Sequence, residues 1–118
     1  MSFRGGRNLA MKVPPHRWDE TVAFYERTLG LPVRRREPAS VAFEFGSNVL
    51  WIDRVEHLSQ AEVWLEVVTD DIASAAAHLE MHDVARCDAV EALPEGFQGF
   101  WVVNPADVVH LVARSDDD

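Results

Sequence analysis

The sequence predicts an α+β fold: two βαβββ modules, one main helix in each, forming a curved mixed sheet around a cavity. Three observations carry this. Apolar residues alternate with polar ones in several runs of strand length. Only two segments show helical spacing. The order strand, helix, three strands then occurs twice, on either side of a short polar connector. Repetition at half the chain length signals organisation even where residue identity is low.

The elements follow in order. Leu9, Met11 and Val13 alternate with Asn8, Ala10 and Lys12 as a half-buried strand, which Pro14 and Pro15 stop. A helix is expected from roughly Trp18 to Leu29, with Trp18, Val22, Tyr25 and Leu29 as its apolar stripe, Phe24 beside them, and Gly30 as its stop. Leu31 to Arg36 reads as the second strand. Val41, Phe43 and Phe45 mark the third, Gly46-Ser47 a turn, and Asn48 to Arg54 the fourth. Residues 56–61 are the connector between module one (about 7–55) and module two (about 62–114). Val63, Leu65 and Val67 then alternate with Trp64, Glu66 and Val68. Asp70-Asp71 offers a helix cap, and Ile72, Ala75, Ala76 and Leu79 form the buried stripe of a helix reaching about His82. Ala85 to Val90 is a weaker strand and Glu91 to Gln98 a loop. Gly99 to Val103 is a strand, Asn104 to Asp107 a turn, and Val108 to Arg114 the last strand.

Composition narrows the function classes. A chain of 118 residues, 47% hydrophobic, is long enough for a single domain with a real core. A net charge of −9 argues against nucleic acid, whose phosphates require a basic surface, and is compatible with a cationic ligand. Part of that charge sits in the tail Ser115 to Asp118. No apolar run reaches the ~20 residues that span a bilayer. Met1 to Arg7 has no apolar core behind it and does not read as a secretory signal. One cysteine, Cys87, cannot form an internal disulfide, which points to a reduced, cytoplasmic setting and an inert thiol.

Three segments carry a family resemblance: Val22-Ala23-Phe24-Tyr25-Glu26-Arg27-Thr28-Leu29-Gly30-Leu31, Val68-Thr69-Asp70-Asp71-Ile72, and the turn Asn104-Pro105-Ala106-Asp107. Together, and in this order, the chain resembles the vicinal oxygen chelate superfamily, which includes glyoxalase I, extradiol dioxygenases, fosfomycin-resistance enzymes and bleomycin-resistance proteins. The resemblance implies four inward-facing ligand positions for a divalent ion, on the first and last strands of each half. Transferred to this sequence they fall on Asn8, on Trp51 or Asp53, on Trp64, and on His110. Asn8 is a weak metal donor, Asp53 a competent one unless a neighbouring base such as Arg54 pairs with it, and Trp64 cannot ligate. His110 is a competent ligand and the best single candidate, as metal ligand or as acid/base. That reading places Val109, Leu111 and Ala113 toward the helix, and Val108, His110 and Val112 on the cavity face. Glu44 and Glu66 are expected on the cavity face as substitutes.

The ligand-binding set expected from these arguments is Asn8, Glu44, Trp51, Asp53, Trp64, Glu66, Trp101 and His110. Aromatic walls with a few carboxylates suit a planar or cationic organic molecule; equally, such rings serve a core or a dimer interface. Arg34-Arg35-Arg36 reads as a solvated edge strand or an anion contact, and His78 with His82 as a solvent-facing pair. The loop Glu91 to Gln98 is a candidate lid. Three functions are open: a metal-independent binding protein, a divalent-metal lyase, isomerase or dioxygenase, and a ligand-free structural or regulatory dimer. A homodimer is expected under each.

Overall fold

A computed structural model describes residues 1–115; Asp116 to Asp118 of the acidic tail lie outside the described residues. The elements are β1 (Phe3–Gly5), β2 (Asn8–Val13), α1 (Pro15–Ala23), β3 (Val33–Glu37), β4 (Ser40–Phe45), β5 (Asn48–Arg54), β6 (Glu62–Thr69), α2 (Ile72–Met81), β7 (Gly99–Val103) and β8 (Val109–Arg114). The fold is α+β, with two main helices and eight strands in mixed pairing. Two compact units emerge: Arg7–Trp64, and Met1–Gly6 with the chain from Leu65 onward. No helix among the described residues is long and apolar enough to cross a membrane.

In the first unit the strand order is β3-β4-β5-β2, and the start of β6 pairs with β2. β2 and β5 are parallel; the other pairs are antiparallel. Val13, Val22, Val41, Phe43, Leu50 and Ile52 form its buried cluster, with Leu9, Met11, Trp18, Tyr25 and Leu31 packed against it. The alternating residues of β2 thus bury the side expected of them. The Trp18 indole N–H donates to the Ile52 carbonyl at 3.1 Å, so this ring is satisfied while it packs.

The first helix departs from its expected boundaries at both ends. It begins at Pro15, because proline is well suited to the first helical position, where its missing N–H costs nothing. It closes in a π-helical turn, Phe24–Thr28, with the Leu29 N–H reaching back to the Phe24 carbonyl at 2.9 Å. The wider turn rotates the residues that follow. Leu29 is therefore 50% exposed rather than in the stripe, Phe24 is 47% exposed, and Leu31 fills the core instead. Gly30 does end the segment, at φ 68°.

In the second unit, β6 and β8 run parallel, β7 is antiparallel to β8, and β1 is antiparallel to β6. The buried cluster is Ala75, Phe100, Val102 and Val112, flanked by Ile72, Ala76, Leu79 and Val84. All four residues of the expected α2 stripe are among them. The N-terminal segment, which the sequence leaves outside both modules, supplies β1.

Ala85 to Val90 is not a strand. It makes one isolated bridge, Arg86 to Val102, and then a 3-10 turn over Asp88–Val90. The reason is local: the Asp88 carboxylate accepts the Trp101 backbone N–H at 3.0 Å, taking the donor that a neighbouring strand would need.

Asp71 caps α2 through bonds from the Ser74 backbone N–H at 3.0 Å and the Ser74 hydroxyl at 2.9 Å. These two donors hold its carboxyl below the usual range. A depressed carboxyl stabilises the fold above its unfolded value of about 3.9 and loses that effect as pH falls through the lower folded value. Asp71→Ala should lower Tm at neutral pH, and the difference from wild type should shrink as pH falls below the ordinary carboxyl range. Separately, Phe43→Ala should cost about 3–5 kcal/mol in chemical denaturation, because Phe43 is fully buried in the first cluster.

Candidate functional site

Each strand of the first unit turns one row of side chains toward α1 and the other row away from it. The helix-free face can be read from the registers. Ala42, Trp51, Ala10 and Trp64 stand side by side on β4, β5, β2 and β6. The next row is Ser40, Asp53, Lys12 and Glu62. Before them lie Glu44, Val49 and Asn8. Trp51 and Asp53 therefore share a face, as residues two apart on a strand must.

The indoles of the first row are fixed by their N–H groups. Trp51 Nε1 donates to Asn8 Oδ1 at 3.0 Å, and Trp64 Nε1 donates to Glu62 Oε1 at 3.1 Å. Trp51 is half-buried and Trp64 is buried. Ala10, with only a methyl group, separates the two rings on the intervening strand.

The second row holds a buried ion pair. Lys12 is only 2% exposed, and its Nζ lies 2.7 Å from Asp53 Oδ2. The other carboxylate oxygen accepts a hydrogen bond from the Ser40 hydroxyl. The Lys12 ammonium also sits 4.3 Å from the centroid of the Trp64 ring, within cation–π range. A buried ammonium requires such partners, because an unpaired charge in this setting would be strongly destabilising. Asp53 is thus not an edge residue paired with Arg54. β5 lies between β4 and β2, and Arg54 pairs with Glu56 at 3.2 Å. Sequence reasoning missed Lys12, although its alternation with Leu9, Met11 and Val13 already put it beside Asn8 and Ala10.

The second unit reverses the expected facing of β8. Val112 belongs to the cluster under α2, and His110, two residues away, shares that side. The registers agree: His110 pairs with Val102, which is in the same cluster. The helix-free side instead carries Glu66, Trp101 and Leu111, which are register neighbours across β6, β8 and β7. Strand β8 begins one residue later than the turn suggested, and Asn104 is the cause. Its side-chain oxygen accepts the backbone N–H groups of Ala106 and Val108, both at 2.9 Å, and Asp107 takes a positive φ of 62°. Trp101 is buried, with its indole N–H on the Glu91 carbonyl at 2.9 Å, which anchors the start of the loop from Glu91 to Gln98. Glu66 is buried over Gly6, where an added Cβ would come within 2.1 Å of its carboxylate.

The donor set does not fit a divalent ion. In the first unit the expected ligand positions are the Asn8 amide oxygen, already accepting from an indole, the indoles of Trp51 and Trp64, with no lone pair to give, and the Asp53 carboxylate, whose oxygens are engaged by Lys12 and Ser40. In the second unit the strand position facing away from the helix is Leu111, not His110. Among the described residues no group of three His, Cys, Asp or Glu side chains converges.

The remaining candidates are accounted for within their own units. Arg34 pairs with Glu44, Arg36 with Glu26, and Arg35 with Glu37, all at exposed positions. The His78 and His82 rings lie 4.5 Å apart along α2, with Phe3 packed on His78. Burial pushes the Cys87 thiol up from its ordinary pKa, and Asp88 adds to the effect.

No protein-family model matches the sequence, and no curated protein matches it. Solved structures match in fold. The Mn(II)-bound glyoxalase from Novosphingobium aromaticivorans has a TM-score of 0.64 at 21% identity, over 92% of this chain and only 38% of that one. A glyoxalase/bleomycin resistance protein/dioxygenase superfamily member from Vibrio splendidus 12B01 has a TM-score of 0.63 at 11% identity, over 97% of this chain and 100% of that one. Methylmalonyl-CoA epimerase from Mycobacterium tuberculosis has a TM-score of 0.64 at 11% identity, over 93% and 87%. At these identities the likeness establishes the architecture and not the chemistry.

The ion pair gives a direct test of the face. Lys12→Met, which strands the Asp53 carboxylate, should cost about 3 kcal/mol in urea denaturation, and Lys12→Met with Asp53→Leu should recover most of that loss. Equal losses in the single and double variants would show that the charge pairing is not what the site depends on.

Proposed function

We propose that this chain, which has the fold of the vicinal oxygen chelate superfamily, is a small-molecule-binding protein of the glyoxalase/bleomycin-resistance type. Its binding surface is the helix-free face of the first unit, and its ligand is a planar organic molecule, preferably cationic. The observation that carries this is the row Ala42-Trp51-Ala10-Trp64, in which two indoles flank a methyl-sized floor. Adjacent strands are about 4.8 Å apart, so the indole-bearing strands are separated by roughly twice that distance. A flat ring resting over Ala10 would have an indole on either side.

The electrostatics support a cation. The Lys12 charge on this face is cancelled by Asp53 at 2.7 Å. Glu62 adds negative charge at the end of the same row, and the whole chain carries −9. Indole faces attract cations in the same sense. The Asn8 and Glu62 bonds hold the rings in place before any ligand arrives, which reduces the ordering cost of binding.

Proflavine, a planar aromatic cation, is a suitable probe. Titration followed by tryptophan fluorescence should give saturable quenching in the wild type. Trp51→Leu should weaken binding by at least about tenfold while leaving the circular dichroism spectrum unchanged, because it removes one wall of the slot. Unchanged affinity in Trp51→Leu would refute the assignment.

A further inference from the structure

We propose a second, separate ligand site in the other unit: a pocket beside α2 that takes a small monocyclic molecule bearing one hydrogen-bond donor, with a phenol as the simplest example. The pocket encloses about 260 Å³. An apolar cavity of about 150 Å³ is enough to hold benzene, so one substituted ring fits. Val67 and Val102 line it from the sheet, and Leu79 and Val84 from α2 and its exit. Phe3 and Pro105 also line it, and both are exposed, so the pocket opens to solvent beside them.

Its polar side chains are His110 and Asn104, and of their acceptors only the imidazole is open. His110 lines the pocket among these apolar residues. Its Nδ1 lies 3.0 Å from the Val108 carbonyl oxygen. A carbonyl only accepts, so Nδ1 carries the proton and donates it. In the neutral ring Nε2 is then an acceptor with a lone pair. The Asn104 side-chain oxygen, at the same pocket, is already used by the Ala106 and Val108 N–H groups. The available pairing is therefore donor on the ligand, acceptor on His110. Toluene-like molecules would fill the volume without using it. Phenols fill it and satisfy the imidazole.

The site lies on the α2 side of its sheet and shares no residue with the Trp51–Trp64 row, so either assignment can fail alone. The experiment is a ¹⁹F NMR titration with 4-fluorophenol, run against fluorobenzene as the matched probe without a donor. In parallel, methyl spectra of Val67, Val102 and Leu79 locate the bound ring. The expected result is saturable binding of 4-fluorophenol, shifts at those methyls, and affinity about tenfold weaker for fluorobenzene, the usual worth of one hydrogen bond. His110→Leu should remove the preference between the probes and keep ring binding. Val84→Phe, which fills the pocket from its flank, should weaken both, and Trp51→Leu should change neither. Three results would each overturn the proposal: no saturable binding at millimolar probe, methyl shifts elsewhere, or an unchanged preference in His110→Leu. Should His110→Leu prove unfolded, the wild-type probe preference and the methyl shifts still decide.

Discussion

The buried pairing of Lys12 with Asp53 is the interaction on which the first unit's helix-free face depends. A single helix packs on one side of its sheet, and the other side must be made compatible with burial by its own side chains. Lys12 is 2% exposed, so its charge has to be met within the protein. Asp53 meets it, Ser40 occupies the second carboxylate oxygen, and the Trp64 ring lies over the ammonium. Four strands are tied together by these contacts, because Ser40, Asp53, Lys12 and Trp64 come from β4, β5, β2 and β6. The same network holds Trp64 in the row that Trp51 and Ala10 complete.

Much of this was legible in the sequence, for a simple reason. Period-two alternation assigns faces without any knowledge of the fold. It put Leu9, Met11 and Val13 in the core and left Asn8, Ala10 and Lys12 on the opposite side; the inward positions of Trp64 and of Trp51 or Asp53 came from the family resemblance. Helical spacing identified all four residues of the α2 stripe. What alternation could not supply was its own phase in β8. His110 was placed on the wrong side of β8 because both faces of that strand carry apolar residues, Val109, Leu111 and Ala113 on one and Val112 on the other, so alternation has no polar row to set its phase. A one-residue slip exchanges the two faces entirely.

The other misreadings have the same character. Leu29 left its stripe because the chain between it and Tyr25 winds as a π-helical turn, whose wider bonding breaks the α-helical spacing. Ala85 to Val90 failed as a strand because the Asp88 carboxylate took the Trp101 N–H. Each is a side chain or backbone group choosing a partner that local patterns do not specify. Such choices decide function more than fold, since one scaffold hosts many different sites.

The central claim is that the helix-free face of the first unit is a ring-binding surface and not a divalent-metal site. A Mn(II) titration followed by electron paramagnetic resonance tests it most directly, since the free aqueous ion gives a signal that protein coordination quenches. The account predicts that the free-ion signal grows in proportion to added metal from the first aliquot. Loss of one equivalent of signal per chain, restored by chelator, would contradict it.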